Sequence, residues 1–260
     1  MPDPVVTFSK SEPIGYLTLN RPPANSYDIH FMNDLDAAIE AANVDPGVKV
    51  VILKSASEKF FSGGADIKAF LANTAEANME LIRTAHQALD KMSASDRVYL
   101  AALNGHALGG GLEMALACDL RFAAEGKYRM GLPEVTLGLL PGNGGTQRLP
   151  RLIGANKALE MMVTGETLTP EEALRLGIVN KLFPAEKLLE ETEAYARKLA
   201  SGATLAIARI KQCVYQGIAL PLSEGLALER KLIEPLFDSE DAKEGLAAFT
   251  EKRQPVYKGK

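Results

Sequence analysis

The feature that most constrains this chain is an apolar strand that runs into a cluster of glycines and reappears as a helix. Val98 to Leu103 (VYLAAL) has the composition of a buried strand and stops at Asn104-Gly105. Gly109-Gly110-Gly111 then opens Leu112 to Cys118, a short apolar helix. Such a turn leaves backbone N–H groups at the helix start without partners, and a place of that kind holds negative charge. The nucleotide readings of the loop fail letter by letter. Gly105 to Gly110 fits the first six positions of GxxxxGK[ST], but Gly111 stands where the lysine is needed. Met114 stands where a dinucleotide fingerprint requires glycine. What remains is a site for a smaller or transient anion, or a glycine-lined packing contact.

Two carboxylates flank the loop. Glu113 lies in the first helical turn among Leu112, Met114, Ala115 and Leu116, and Glu134 sits between Leu132-Pro133 and Val135-Thr136-Leu137. Apolar surroundings raise a carboxyl pKa, and a second carboxyl nearby drives the two apart, which is how general acid/base pairs arise. Taken singly, either glutamate also reads as a helix-start carboxylate stabilised by the dipole.

The same device appears earlier. Phe60-Phe61-Ser62-Gly63-Gly64-Ala65-Asp66-Ile67-Lys68 is a short apolar strand, two glycines and a helix start at Asp66. Two such turns after parallel strands bring two N–H groups to one point, the arrangement of an oxyanion hole. The rest of the chain reads as α/β. Val5 to Phe8 and Ile14 to Asn20 form a hairpin, and Ile29, Met32, Leu35 and Ile39 fall at helical spacing. Strands are expected over Val48–Lys54, Leu120–Ala123, Tyr128–Gly131 and Ile178–Phe183, with a helix over Thr74–Met92. Thr169-Pro-Glu-Glu172 is a capping box. From Glu186 onward the sequence is almost wholly helical, with breaks expected near Gly202, Pro221 and Ser239. That change of texture divides the chain into a core domain, 1–185, and a helical region, 186–260.

Composition narrows the function. The 260 residues are 47% hydrophobic, enough for a sizeable core, and the net charge of −4 without a basic run argues against nucleic acid as a partner. No apolar stretch approaches the roughly 20 residues of a membrane span. The N-terminal Met-Pro-Asp-Pro carries no secretory pattern, and Cys118 and Cys213 read as thiols of a reducing compartment, Cys118 buried and Cys213 buried or partly exposed, so the expected location is cytoplasmic. His30, His86 and His106 are scattered away from carboxylate clusters, so no metal site is expected. His106, beside the loop, reads as a structural histidine or a ligand contact.

Asn104-Gly-His-Ala-Leu-Gly-Gly-Gly-Leu-Glu113, Cys118-Asp119, Pro133-Glu134 and Leu140-Pro-Gly-Asn-Gly-Gly-Thr-Gln-Arg148 closely resemble the enoyl-CoA hydratase (crotonase) family, over Gly15 to Arg253. The resemblance implies a crotonase-type (ClpP-like) spiral of ββα units, with the C-terminal helices packing between subunits of a trimer or a pair of trimers. It implies a hydratase, because both glutamates of the family's hydratases are present, with the catalytic pair Glu113 and Glu134. It implies an oxyanion hole from the N–H groups of Ala65 and Gly110. By the same carry-over, Ala65, Asp66, Ile67 and Lys68 run along coenzyme A, with Ala24 on the opposite wall. Lys68 also reads as a solvated helix charge. Phe249 and Lys252 match positions that approach a neighbouring subunit's coenzyme A. No separate cofactor is implied, since coenzyme A is part of the acyl-CoA substrate. The alternatives are a double-bond isomerase, a thioester hydrolase or dehalogenase, and an RNA-binding or acyl-CoA-sensing protein. Departures from the family are Arg21-Pro-Pro-Ala-Asn-Ser-Tyr-Asp28, Leu112 and Asn143, at positions that border the acyl pocket.

Overall fold

The computed structural model describes residues 3–260. Its core repeats one path: a strand in a large sheet, a strand in a small sheet, then a helix. The chain opens with the antiparallel hairpin β1 (Val6–Ser11) and β2 (Ile14–Leu19), followed by α1 (Ile29–Val44). The first turn of the spiral is β3 (Val50–Ser55), β4 (Phe60–Ser62), α2 (Ile67–Ala72) and α3 (Ala75–Ala94). The second is β5 (Val98–Leu103), β6 (His106–Leu108) and α4 (Gly110–Ala117). The third is β7 (Leu120–Ala124), β8 (Met130–Gly131) and a 3-10 turn, Glu134–Leu137. There follow α5 (Gly145–Ile153), α6 (Ala155–Thr164), β9 (Thr167–Leu168), α7 (Pro170–Arg175) and β10 (Lys181–Phe183). The remainder is helical: α8 (Leu188–Ala200), α9 (Thr204–Gly217), α10 (Leu222–Ile233) and α11 (Glu240–Glu251).

The large sheet has the order β1-β2-β3-β5-β7-β10 and is parallel from β2 onward; the small sheet has the order β4-β6-β8-β9. Every residue of β5 is buried, as a parallel strand covered on both faces requires. Helix α8 packs across β2, β3, β5 and β7, and places Leu188 and Ala196 in the main core. The helices that face outward therefore begin with α9. Breaks fall near Gly202, Pro221 and Ser239 as the sequence suggests, and the Thr169 capping box forms, with Glu172 N donating to Thr169 and Thr169 N to Glu172.

Two expected strands are shorter, for visible reasons. Tyr128 is not in a strand: its hydroxyl lies 3.0 Å from the carbonyl of Leu103 and 2.6 Å from that of Ala124, which holds it in the loop before β8. Ile178 and Val179 donate their N–H groups back to the Ala173 carbonyl and close α7, so β10 starts only at Lys181.

Candidate active site

β4 and β6 pair in parallel, with Phe60 opposite His106, so the glycine turns that follow them meet. The contact is close at Gly64, whose φ is +90°; a Cβ there would lie 2.8 Å from the Leu108 carbonyl oxygen and 3.5 Å from Gly110 N. Tyr27 fixes the first turn from outside. Its N–H donates to Gly64 O at 2.9 Å and its C=O accepts from Asp66 N at 2.8 Å. That bridge uses the groups on either side of Ala65 and leaves the Ala65 N–H outside it. Neither Ala65 N–H nor Gly110 N–H donates to an acceptor among the described residues. The turns that carry these two N–H groups, the ones the family resemblance singles out, are in contact.

Glu113 is buried at 1% exposure in the first turn of α4. Its Oε1 accepts from Asn143 N at 2.8 Å and Gly145 N at 2.6 Å, while its own N–H donates to Gly109 O. Burial pushes the Glu113 carboxyl up to about 7; the N–H of Gly145 opposes the rise and the charge of Glu134 adds to it. Glu134 opens the 3-10 turn and lies against Gly109, where a Cβ would come within 2.8 Å of its Oε1. Gly109 has φ +53°, a conformation that favours glycine, and a side chain there would displace the Glu134 carboxyl. Burial raises the Glu134 pKa as well, and its Oε2 is buried without a hydrogen-bond partner among the described residues. Two carboxyls of raised pKa on either side of Gly109, the charge of Glu134 acting on Glu113, can serve as a general acid and base.

The other anticipated residues divide. Ala24 lies beside the first turn, its carbonyl accepting from Gly63 N at 2.8 Å. Asp66 caps α2 through Lys68 N and Ala69 N and pairs with Arg21 at 3.3 Å. Ile67 and Lys68 are exposed on the first turn of α2. Phe249 and Lys252 stand at the end of α11, whose main packing partner is the 3-10 turn Glu234–Asp238; Phe249 is 86% exposed. His106 is structural: Nδ1 accepts from Arg129 N and the ring packs on Phe60 and Tyr128.

Sequence reasoning missed the role of Tyr27. Its ring is buried over Gly110, where any Cβ would overlap the hydroxyl, and Asn143 Nδ2 donates to that hydroxyl at 2.8 Å. The signal was present only as two departures from a family pattern, 116 residues apart.

The family model described as Enoyl-CoA hydratase/isomerase matches residues 9–260. The chain belongs to the enoyl-CoA hydratase/isomerase family. It is 40% identical to (E)-benzylidenesuccinyl-CoA hydratase of Thauera aromatica, covering 98% of this chain and 99% of the relative. It is 38% identical to 2,3-dehydroadipyl-CoA hydratase of Escherichia coli, covering 97% and 98%. Among solved structures, an enoyl-CoA hydratase of Bacillus anthracis superposes with a TM-score of 0.94 at 36% identity, over 98% of this chain and 100% of that one. A Geobacillus kaustophilus homologue reaches 0.97 at 48% identity, over 100% and 98%. The architecture is therefore the crotonase fold of this enoyl-CoA hydratase/isomerase family, and the glycine turns and carboxyl pair described above lie within the matched region.

Proposed function

We propose that this family member is a lyase, an enoyl-CoA hydratase that adds water across the 2,3 double bond of a 2-enoyl-CoA to give a 3-hydroxyacyl-CoA. The observation that carries the reading is a buried carboxyl and a half-buried one, both of raised pKa, beside two unpaired N–H donors. An isomerase that shuttles one proton needs only one of those carboxyls.

In this reading the thioester oxygen lies between Ala65 N–H and Gly110 N–H, which hold the negative charge that grows on it as water attacks the β-carbon. Removal of one such donor in comparable sites costs about 3–4 kcal/mol of transition-state stabilisation. Glu113, gripped at Oε1 by two N–H groups, takes a proton from the attacking water. Glu134 gives its proton to the α-carbon. The atoms balance: the water oxygen bonds to the β-carbon, one proton moves to Glu113, and one moves from Glu134 to carbon. Proton exchange between the two carboxyls then resets the site. Burial raises both carboxyls and the charge of Glu134 raises Glu113 further, so the titration of Glu113 is not independent of Glu134.

Coenzyme A is proposed to run past Ala24 and along Ala65, Asp66, Ile67 and Lys68, with Phe249 and Lys252 reaching the coenzyme A of a neighbouring subunit. The test is hydration of crotonyl-CoA, followed by loss of the conjugated thioester absorbance. Wild-type protein should turn over, and Glu113→Gln and Glu134→Gln should each nearly abolish it. Because two groups acting on one water work as a unit, the double variant should be scarcely slower than the worse single one. Undiminished hydration by Glu113→Gln would remove Glu113 from the water and leave Glu134 as the sole proton carrier, whereas wild-type protein that moves the double bond of a 3-enoyl-CoA without hydrating crotonyl-CoA would make the isomerase reading the better one.

A further inference from the structure

Asn143 is fully buried and joins three separate parts of the site. Its N–H donates to Glu113 Oε1 at 2.8 Å, its C=O accepts from Arg148 Nη1 at 2.9 Å, and its Nδ2 donates to the Tyr27 hydroxyl at 2.8 Å. It sits in Pro141-Gly142-Asn143-Gly144-Gly145, a loop with little stiffness of its own; Gly144 adopts φ +103°. Tyr27, by contrast, is doubly fixed: its backbone is tied to Gly64 and Asp66, and its ring is packed against Gly110. The loop that presents two N–H groups to one carboxylate oxygen is held from outside by His86 at the Gly142 carbonyl and by Arg148 at the Asn143 carbonyl, and its one tie to the ring over Gly110 is the Asn143 side chain on the Tyr27 phenol. Asn143 Oδ1 remains buried without a partner among the described residues, a cost the fold accepts while the rest of the residue is used.

We propose that Tyr27 and Asn143 are a positioning pair for Glu113: the phenol, seated over Gly110, holds the Asn143 side chain and so sets the loop whose N–H groups grip the Glu113 carboxylate. The proposal rests on the reading of Glu113 as the group that takes the water proton. Three groups besides the loop act on that carboxyl. Glu134 and the burial of the site raise its pKa, Arg148 lowers it, and Tyr27, whose own pKa burial drives upward, stays a neutral phenol. With the phenol hydroxyl gone, the loop keeps its ties to His86 and Arg148 but loses the one that sets its height over Gly110, and the N–H groups of Asn143 and Gly145 donate less well. The Glu113 pKa then rises and its ionised form is reached only at higher pH.

The test uses Tyr27→Phe, which keeps the ring over Gly110, together with Asn143→Ala and the double variant. Two readouts are taken. One is the pH profile of kcat/KM for crotonyl-CoA hydration. The other is the titration of the Glu113 carboxyl by pH-difference infrared spectroscopy, its band assigned by disappearance in Glu113→Gln, which needs no turnover. Expected is an acidic limb, and an infrared titration, moved upward by about one pH unit in both single variants and no further in the double. Activity at pH 7 would then fall about fivefold and recover in alkaline buffer. An infrared titration of Tyr27→Phe that superposes on wild type overturns the proposal, as does a loss of activity equal at every pH. A wild-type protein that does not hydrate crotonyl-CoA would sink the hydratase reading, while the infrared shift would still decide the pair.

Discussion

At the scale of single residues, the raised pKa of Glu113 couples the site to stability. The carboxyl moves from an ordinary 4.5 to about 7 on folding, so the folded chain binds more protons than the unfolded chain between those values. Its contribution is therefore most favourable below about pH 4.5 and is lost as pH rises through about 7, a difference on the order of 3 kcal/mol at most. Glu113→Gln keeps an oxygen for the N–H groups of Asn143 and Gly145 but removes the charge. The melting temperature of the variant should thus gain on wild type steadily between pH 5 and pH 8; a gap that does not change with pH would show that Glu113 titrates normally. The glutamates themselves were legible, because carboxylates in apolar company beside a glycine turn carry a chemical signal. Tyr27 and Asn143 were not, since a hydrogen bond between residues so distant in sequence leaves no local pattern, and a tyrosine at that place looks like any buried aromatic.

At the scale of elements, the strand-glycine-helix device was readable because it depends on residue type and order alone. Gly64 and Gly109 adopt a positive φ that favours glycine, and the parallel pairing of β4 with β6 brings their turns together. Less readable were the ends of short strands, where side-chain and capping bonds of Tyr128, Ile178 and Val179 win over apolar sequence. The device also yields a separable test of the Gly110 donor. Gly110→Ala and Gly110→Pro both push a carbon into Tyr27, but only proline removes the N–H, and proline is otherwise accepted at the first position of a helix. Both variants should lose activity, with proline slower than alanine by about a hundredfold if Gly110 N–H holds the developing oxyanion. Equal turnover in the two variants, each folded by circular dichroism, would remove Gly110 from that role.

At the scale of the whole molecule, α9 has two faces with opposite fates. Its inner face buries Ala208 and Lys211, whose ammonium donates to the carbonyls of Met92 and Arg97 and pairs with Asp119, its side chain 9% exposed, at 2.9 Å. Such a largely buried pair, with its remaining donors satisfied, fixes the helix on the core, since loss of either partner would leave a stranded charge. The outer face carries Ile210, Val214 and Ile218 at four-residue spacing, exposed by 63%, 56% and 65%, and α10 with its following turn continues the apolar surface through Leu222, Leu226, Ile233 and Phe237. The helix cannot roll to hide that surface, because Lys211 holds it. Contiguous apolar area on this scale marks an interface, and the same chain closing on itself by symmetry is the simplest cover. The patch calls for self-association, and the family resemblance implies that it takes the form of a trimer or a dimer of trimers, which light scattering at micromolar concentration would read. Ile218→Glu together with Leu222→Glu should shift the protein toward monomer without unfolding the sheet core. Truncation before Ser223 should instead give insoluble protein, because it strips α10 from α9 and uncovers the α9 surface that α10 packs on, in addition to the face already exposed. A wild-type monomer at those concentrations would overturn the assignment, and would also take Phe249 and Lys252 away from any neighbour's coenzyme A.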